Sequence, residues 1–337
     1  MNSDYLTEAI SKGDWLCLWL YLSEKYGLRV SKNFYHYTDI NGFIGIIGQC
    51  EFWLSHLRYM NDTSEYIEGE NICKNLIKKL LPKVCDEQKK ILLELQSLFS
   101  KDKSAGLFPF SRTDVFSLSF TRDRDSLDMW RGYGKNSGIC IGFDINKCNS
   151  LPGIALVLKE QYKKDTENKS LEEIAPKNER FFSAFNVIYD NKLKEALIAD
   201  VLDIGLKFYK KNVIKEQALQ FMTDSLFFAF PFLKNNGFKN EKECRFIDNI
   251  PADSHLNKSS NIQYRERNGI ILPYIKYQIV DRNCKPILKW PISEIIVGPC
   301  LRQNDLANSI KYFLLKQGYS ELANKVVLSD IPYAPFR

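Results

Sequence analysis

Short runs in which apolar and polar residues alternate recur along the chain, between longer stretches of helical periodicity. Alternation with period two is typical of a half-buried strand, whereas apolar residues at i, i+3 and i+4 are typical of an amphipathic helix. The strands are unevenly spaced among the helices, without a repeated βαβ unit, which predicts an α+β fold with a mixed, largely antiparallel central sheet. The predicted strands are 34–38, 52–55, 115–121, 138–144, 243–248, 269–277 and 292–297.

Helical periodicity is strongest in two blocks, at about 63–105 and 190–235, which we interpret as helical insertions into the sheet domain. Pro82 splits the first block, and the second block predicts two helices. Residues 1–33 are predicted to form an N-terminal helical extension, and residues 34–337 a single α+β domain. The two helices of the second block are predicted at 191–211 and 214–234. Further helices are predicted at 39–47, 125–131 and 304–317.

Composition and charge narrow the class of protein. The 337 residues are 45% hydrophobic and 26% charged, as in ordinary globular proteins, and the net charge of +6 permits an anionic partner without requiring one. Nine cysteines without C-x-x-C spacing and three histidines without ligand spacing predict neither a disulfide framework nor a metal site. The N-terminus lacks a positive signal-peptide region and no apolar run is long enough to span a bilayer, so we expect a cytoplasmic protein without membrane contact.

Four separated clusters carry the residues that could do chemistry. They are Tyr35-His36-Tyr37-Thr38, 60–65 (MNDTSE), 116–121 (FSLSFT) followed by 129–133 (MWRGY), and 241–246 (EKECRF). In these clusters and their order the chain resembles the domain-of-unknown-function family 2971, from about residue 34 to the end. Some members of that family look like abortive-infection proteins of bacterial phage defence, so the resemblance implies that cellular setting.

A more distant resemblance, to ADP-ribosyltransferases, implies a mechanism. Those enzymes place a His or Arg on a first strand, S-x-S on a middle strand and E-x-E on a later one. The resemblance implies NAD as substrate, with Glu243 stabilising the oxocarbenium ion that forms at the ribose and Glu241, on the same strand face, activating an acceptor. Cofactor-binding roles are expected for His36, Tyr37, Thr38, Ser117, Ser119, Trp130, Tyr133 and Arg245.

Three alternatives stay open at this stage. Glu243 and Arg245 alternate onto one side of a strand, so an ion pair would explain both without catalysis. A noncatalytic nucleotide- or nucleic-acid-sensing module could use the same cleft, with Arg131 and Arg245 holding phosphate. A nuclease-like effector could use Asp62, Glu65 and Glu243 around a divalent ion. An enzyme would also need a nucleic-acid or protein acceptor, and an antitoxin or sensor partner could regulate it.

Overall fold

The fold is taken from a computed structural model of the chain. The structure describes residues 15–30, 33–60, 65–99, 113–134, 137–144, 155–158, 184–209, 214–251, 262–267, 269–280 and 289–333. None of the helices in these ranges is long and apolar enough to cross a bilayer.

One mixed sheet runs through the molecule. Its main path has the order β11-β10-β4-β1-β3-β2-β9-β5; β7 pairs with β3, β6 with β7 and β8 with β9. Among the strands that the structure describes, every pairing is antiparallel except that of β10 with β11. The strands are β1 Phe34–Thr38, β2 Glu51–His56, β3 Thr113–Thr121, β4 Ile139–Phe143, β5 Ala155–Leu158, β6 Phe185–Asn186, β7 Glu243–Pro251, β8 Ile262–Arg267, β9 Ile270–Val280, β10 Ile292–Val297 and β11 Val326–Leu328. The predicted α+β class and largely antiparallel sheet are confirmed.

The helices follow the predicted blocks closely. They are α1 Trp15–Lys25, α2 Ile40–Gln49, α3 Glu65–Leu80, α4 Asp86–Leu98, α5 Leu127–Met129 with a π-helical turn Trp130–Gly134, α6 Asn191–Tyr209, α7 Lys215–Ala229, α8 Gln303–Lys316 and α9 Ser320–Ala323. Helix α7 ends before the predicted residue 234, because Pro231 cannot continue the helical hydrogen bonding and a 3₁₀ turn Phe230–Phe232 follows.

Two large hydrophobic cores lie against the sheet, besides a smaller cluster that contains Tyr37 and Trp130. One contains residues of α2, α8 and α9, with Phe34, Phe52 and Phe120 from the strands. The other contains apolar residues of α1, α3, α4, α6 and α7. Trp19 of α1 lies within this second core, where its ring stacks on Phe232 with the centroids 5.0 Å apart. The helix within the predicted N-terminal extension therefore shares a core with the two helical insertions.

The contact between α6 and α7 depends on a glycine. A Cβ added at Gly205 would lie 2.1 Å from Cγ of Met222 on the facing helix. We expect Gly205→Ala to lower the free energy of unfolding by about 1–3 kcal/mol, because overpacking a filled core forces side chains to move. Urea denaturation measures this change.

Gly45 provides a matched control, since it is also mid-helix and a Cβ there would meet nothing within 4 Å. Gly45→Ala should raise the free energy of unfolding by about 0.5–1 kcal/mol through its better helix propensity. Equal effects of the two substitutions would contradict the tight packing assigned to Gly205.

Candidate functional site

The sheet opens along the middle of β3. Strand β1 pairs with β3 only at Tyr35 and Thr121, and β2 pairs with β3 only at Ser55 with Ser117 and His56 with Phe116. Strands β1 and β2 therefore both leave β3 along residues 118–120, and α2 connects them. We call this opening the fork.

A cavity of about 480 Å³ lies at the fork. Eight of the ten predicted site residues line it, and they come from four distant parts of the chain. They are His36, Tyr37, Thr38, Ser117, Ser119, Tyr133, Glu241 and Glu243. The mechanism expected from the sequence requires His36, Ser119 and Glu243 to converge on one cleft, and all three line this cavity.

The side chain of His36, on β1, bonds to the backbone of β3 where the two strands no longer pair. Its Nδ1 lies 2.9 Å from the backbone oxygen of Ser119. A carbonyl oxygen only accepts, so Nδ1 carries the proton and donates it. Burial lowers the pKa of His36, and the nearby charge of Arg267 lowers it further. The imidazole is therefore neutral at pH 7, and Nε2 is left as a hydrogen-bond acceptor.

The two serines of the S-x-S motif line the cavity. Ser117 and Ser119 lie on the same face of β3 because side chains alternate along a strand. Both Oγ atoms are buried, and neither has a hydrogen-bond partner among the described residues. A buried hydroxyl without a partner costs about 1–3 kcal/mol, so a ligand that supplies the partner gains affinity.

We expect Ser117→Ala to weaken ligand binding without lowering the stability of the fold. The substitution removes no hydrogen bond of the described structure, so the free energy of unfolding should stay the same or rise by up to about 1 kcal/mol. Affinity for the cavity's ligand should nevertheless fall by about threefold to tenfold, because one hydrogen bond is lost. Thermal unfolding and equilibrium dialysis measure the two effects. A destabilised variant with unchanged affinity would show that the hydroxyl has a structural role.

Glu243 is the centre of a buried ion-pair network. Its Oε1 accepts from Nε of Arg245 at 2.5 Å, and its Oε2 accepts from Nη2 of Arg245 and from Nζ of Lys234, both at 2.7 Å. Burial opposes ionisation and is the largest single effect, but the charges of Arg245 and Lys234 together outweigh it and lower the pKa of Glu243 to about 2. The carboxylate is thus ionised but compensated by two cations.

The prediction that Glu241 shares a strand face with Glu243 is wrong. Glu241 ends a 3₁₀ helix, Asn236–Glu241, and Lys242 adopts a left-handed conformation with φ of 42° before β7 begins. The two carboxylates nevertheless share a partner, because Nζ of Lys234 also donates to Oε2 of Glu241, at 2.5 Å. The Tyr133 hydroxyl donates to Oε1 of Glu241 at 2.9 Å.

Two predicted cofactor contacts, Trp130 and Arg245, are not in the cavity wall. Trp130 is 2% exposed, and its indole N–H donates to Asp125 at 2.6 Å, so its role is packing. Arg245 is fully buried and also donates to the backbone oxygen of Pro231 at 2.7 Å. Arg245 is therefore used in a buried ion pair with Glu243, as the ion-pair alternative predicted. Tyr37 lines the cavity, but its ring packs edge-on against Trp130.

The cavity has a second end that the sequence interpretation missed. Trp53 and Ser55 of β2, with Arg265 and Arg267 of β8, line it. Strand β8 was not predicted, although Asn268 and Gly269 separate it from β9 and Asn-Gly between alternating runs is a strong hairpin signal. Gly269 has a φ of 79°, as such a turn requires.

The nuclease alternative, which needs Asp62 and Glu65 beside Glu243, stays a prediction. Asp62 and the side chain of Glu65 lie outside the described residues. Within the part of the chain that the structure describes, no group of three His, Cys, Asp or Glu side chains is arranged to hold a metal ion.

Comparison with known proteins adds one result. Neither the search of curated proteins nor the search of solved structures found a match. The likeness to ADP-ribosyltransferases thus stays a prediction. A family model does match residues 129–246, and over that range it agrees with the predicted resemblance: the family is described as Protein of unknown function (DUF2971).

Proposed function

We propose that the protein is a cytoplasmic, NAD-consuming effector of the ADP-ribosyltransferase type, and that the cavity at the fork is its active site. One observation carries the proposal: His36, Ser119 and Glu243, on three distant strands, line a single cavity. Its volume of about 480 Å³ lies within the range typical of small-molecule sites. The neutral Nε2 of His36 and the two serine hydroxyls suit the hydroxyl groups of a ribose.

The proposed reaction breaks the bond between C1′ of the ribose and the nicotinamide nitrogen. The electron pair of that bond leaves with nicotinamide, and C1′ acquires positive charge. The anionic Glu243 stabilises that charge, since its low pKa keeps it ionised throughout the physiological range. An acceptor nucleophile then bonds to C1′, and Glu241, whose side chain is 17% exposed, takes its proton.

The acceptor is a nucleic acid or a protein, or water in the hydrolytic case. The family resemblance suggests a role in bacterial anti-phage defence or in a toxin system, where an antitoxin or sensor partner would restrain the activity.

A second candidate is a noncatalytic nucleotide-sensing module that uses the same cavity. The specific observation in its favour is the compensation of Glu243 by Lys234 and Arg245, which reduces the anionic field that the carboxylate can offer to an oxocarbenium ion. Such a module would bind NAD or a related nucleotide and leave it intact.

Nicotinamide release separates the two candidates. The purified protein is incubated with NAD and the products are separated by chromatography. We expect release by the native chain and a loss of at least tenfold with Glu241→Gln. Glu294→Gln is the matched control, because Glu294 is paired with Arg124 at 2.7 Å outside the cavity wall. Tight binding of NAD without release would favour the sensing module, and neither binding nor release would contradict both candidates.

A further inference from the structure

We infer that the Arg265 end of the cavity is an anion subsite that holds a phosphate group of the ligand. This inference rests on the proposed function and adds to it the orientation of the nucleotide. The phosphate would lie towards β8, and the ribose would lie against Ser117 and Ser119.

The Arg265 guanidinium is held in one orientation by its neighbours. Its Cζ lies 5.3 Å from the ring centroid of Trp53 and 5.1 Å from that of Tyr274, and these two rings stack 4.7 Å apart. Nη2 donates to Oγ of Ser55 at 2.8 Å. A guanidinium fixed in this way loses little conformational entropy when it binds an oxyanion, and its planar fork matches phosphate geometry.

Arg265 could bind a further hydrogen-bond acceptor and an anion. Its Nε is buried without a hydrogen-bond partner, and within the described residues no carboxylate forms an ion pair with Arg265 or Arg267. Arg267, two residues along β8, lies on the same strand face, so two positive charges point the same way. Arg265 is half-buried, and the like charge of Arg267 acts on it more strongly than the opposite charge of Asp39, so an anionic ligand between the two arginines lowers the cost of holding both charges there.

The subsite is adjacent to the proposed ribose site. Ser55, which accepts from Arg265, is the register partner of Ser117 on the neighbouring strand. Adjacent strands lie about 4.8 Å apart, and register partners share a face, so the guanidinium is brought beside the Ser117 hydroxyl. A phosphate and the ribose attached to it have a comparable separation. The Ser117 hydroxyl and the Arg265 guanidinium therefore lie about as far apart as the two ends of a ribose 5′-phosphate.

The test compares ligands that differ in phosphate content. Dissociation constants are measured by calorimetry for ADP-ribose, inorganic pyrophosphate and adenosine. Arg265→Gln should weaken ADP-ribose and pyrophosphate at least tenfold and leave adenosine within twofold. Arg265→Lys should be intermediate, because it keeps the charge and loses the fork. Arg302→Gln is the control, since Arg302 is an 83% exposed arginine outside the cavity wall, and it should change none of the three.

The outcomes separate this inference from the proposed function. Nicotinamide release with ADP-ribose affinity unchanged by Arg265→Gln would overturn the subsite and leave the enzyme proposal standing. Arg265-dependent pyrophosphate binding without NAD turnover would support the subsite and contradict the enzyme proposal. Native protein that binds neither phosphate ligand would also overturn the subsite. Melting curves show whether each variant is folded; should Arg265→Gln unfold, Arg265→Lys decides, and an unchanged pyrophosphate affinity in that variant would overturn the subsite.

Discussion

Glu243→Gln is expected to lower the free energy of unfolding by about 3–5 kcal/mol, the cost of removing one partner from a buried ion pair. Arg245 is fully buried and Glu243 is 4% exposed, so water cannot replace the lost carboxylate. Lys234 would keep Glu241 as a partner, but Arg245 would lose the anionic acceptor of its Nε and Nη2 hydrogen bonds. Urea denaturation of both proteins measures the difference.

The matched control is the double variant Glu243→Gln with Arg245→Met. Because it removes both charges of the pair, it should recover much of the lost stability. It also serves the activity assay, since it removes the carboxylate and restores the fold. A single variant as stable as the native protein would contradict the buried network.

The same network predicts an acid-dependent loss of stability. The pKa of Glu243 is lowered in the folded state from 4.5 to about 2, so the unfolded chain takes up a proton first as the pH falls. The stabilisation is complete above pH 4.5 and is lost as the pH falls towards 2, and it amounts to about 3 kcal/mol. Native protein should lose this contribution between pH 5 and pH 2, whereas the double variant should lack that part of the pH dependence.

His36→Asn is expected to lower kcat/KM for nicotinamide release by about tenfold to a hundredfold with little change in stability. The amide nitrogen of Asn lies as many bonds from the backbone as Nδ1, so it can still donate to the Ser119 carbonyl. The variant has nothing at the position of Nε2, which is the atom proposed to accept from the ribose. Steady-state kinetics and thermal unfolding measure the two effects.

His36→Gln is the complementary control. Its longer side chain places a polar atom near Nε2 and loses the donor at Nδ1, so the Ser119 carbonyl loses the hydrogen bond that the structure describes. We expect this variant to be less stable by about 1–3 kcal/mol. If both substitutions reduced stability equally and activity in proportion, His36 would be a structural residue only.

The strands that carry the site could be predicted because their pattern is local. Phe34, Tyr35, Tyr37 and Thr38 are aromatic or β-branched residues, which favour a strand whatever it pairs with. The fork could not be predicted, because it depends on how far β1 and β2 each pair with β3. His36 also points to the opposite face from Thr121 and Ser119, since Tyr35 and Thr121 are register partners. Its ring reaches Ser119 only because the strands separate there.

Lys234 could not be identified from the sequence for a similar reason. It follows a 3₁₀ turn after α7, and only tertiary packing brings its ammonium between Glu241 and Glu243. Arg265 was missed although a signal was present, because the polar strand 262–267 has weak apolar alternation and the Asn268-Gly269 turn was not used. The left-handed Lys242 displaced Glu241 from the strand, which no pattern of apolar residues indicates.

The most direct measurement is a crystal structure of the double variant Glu243→Gln with Arg245→Met soaked with NAD, since this variant should bind the dinucleotide without cleaving it. We expect density for NAD in the cavity at the fork, with a ribose hydroxyl within hydrogen-bonding distance of Ser119 Oγ and His36 Nε2. An empty cavity at saturating NAD, in a crystal where the fork is open to solvent, would contradict the account.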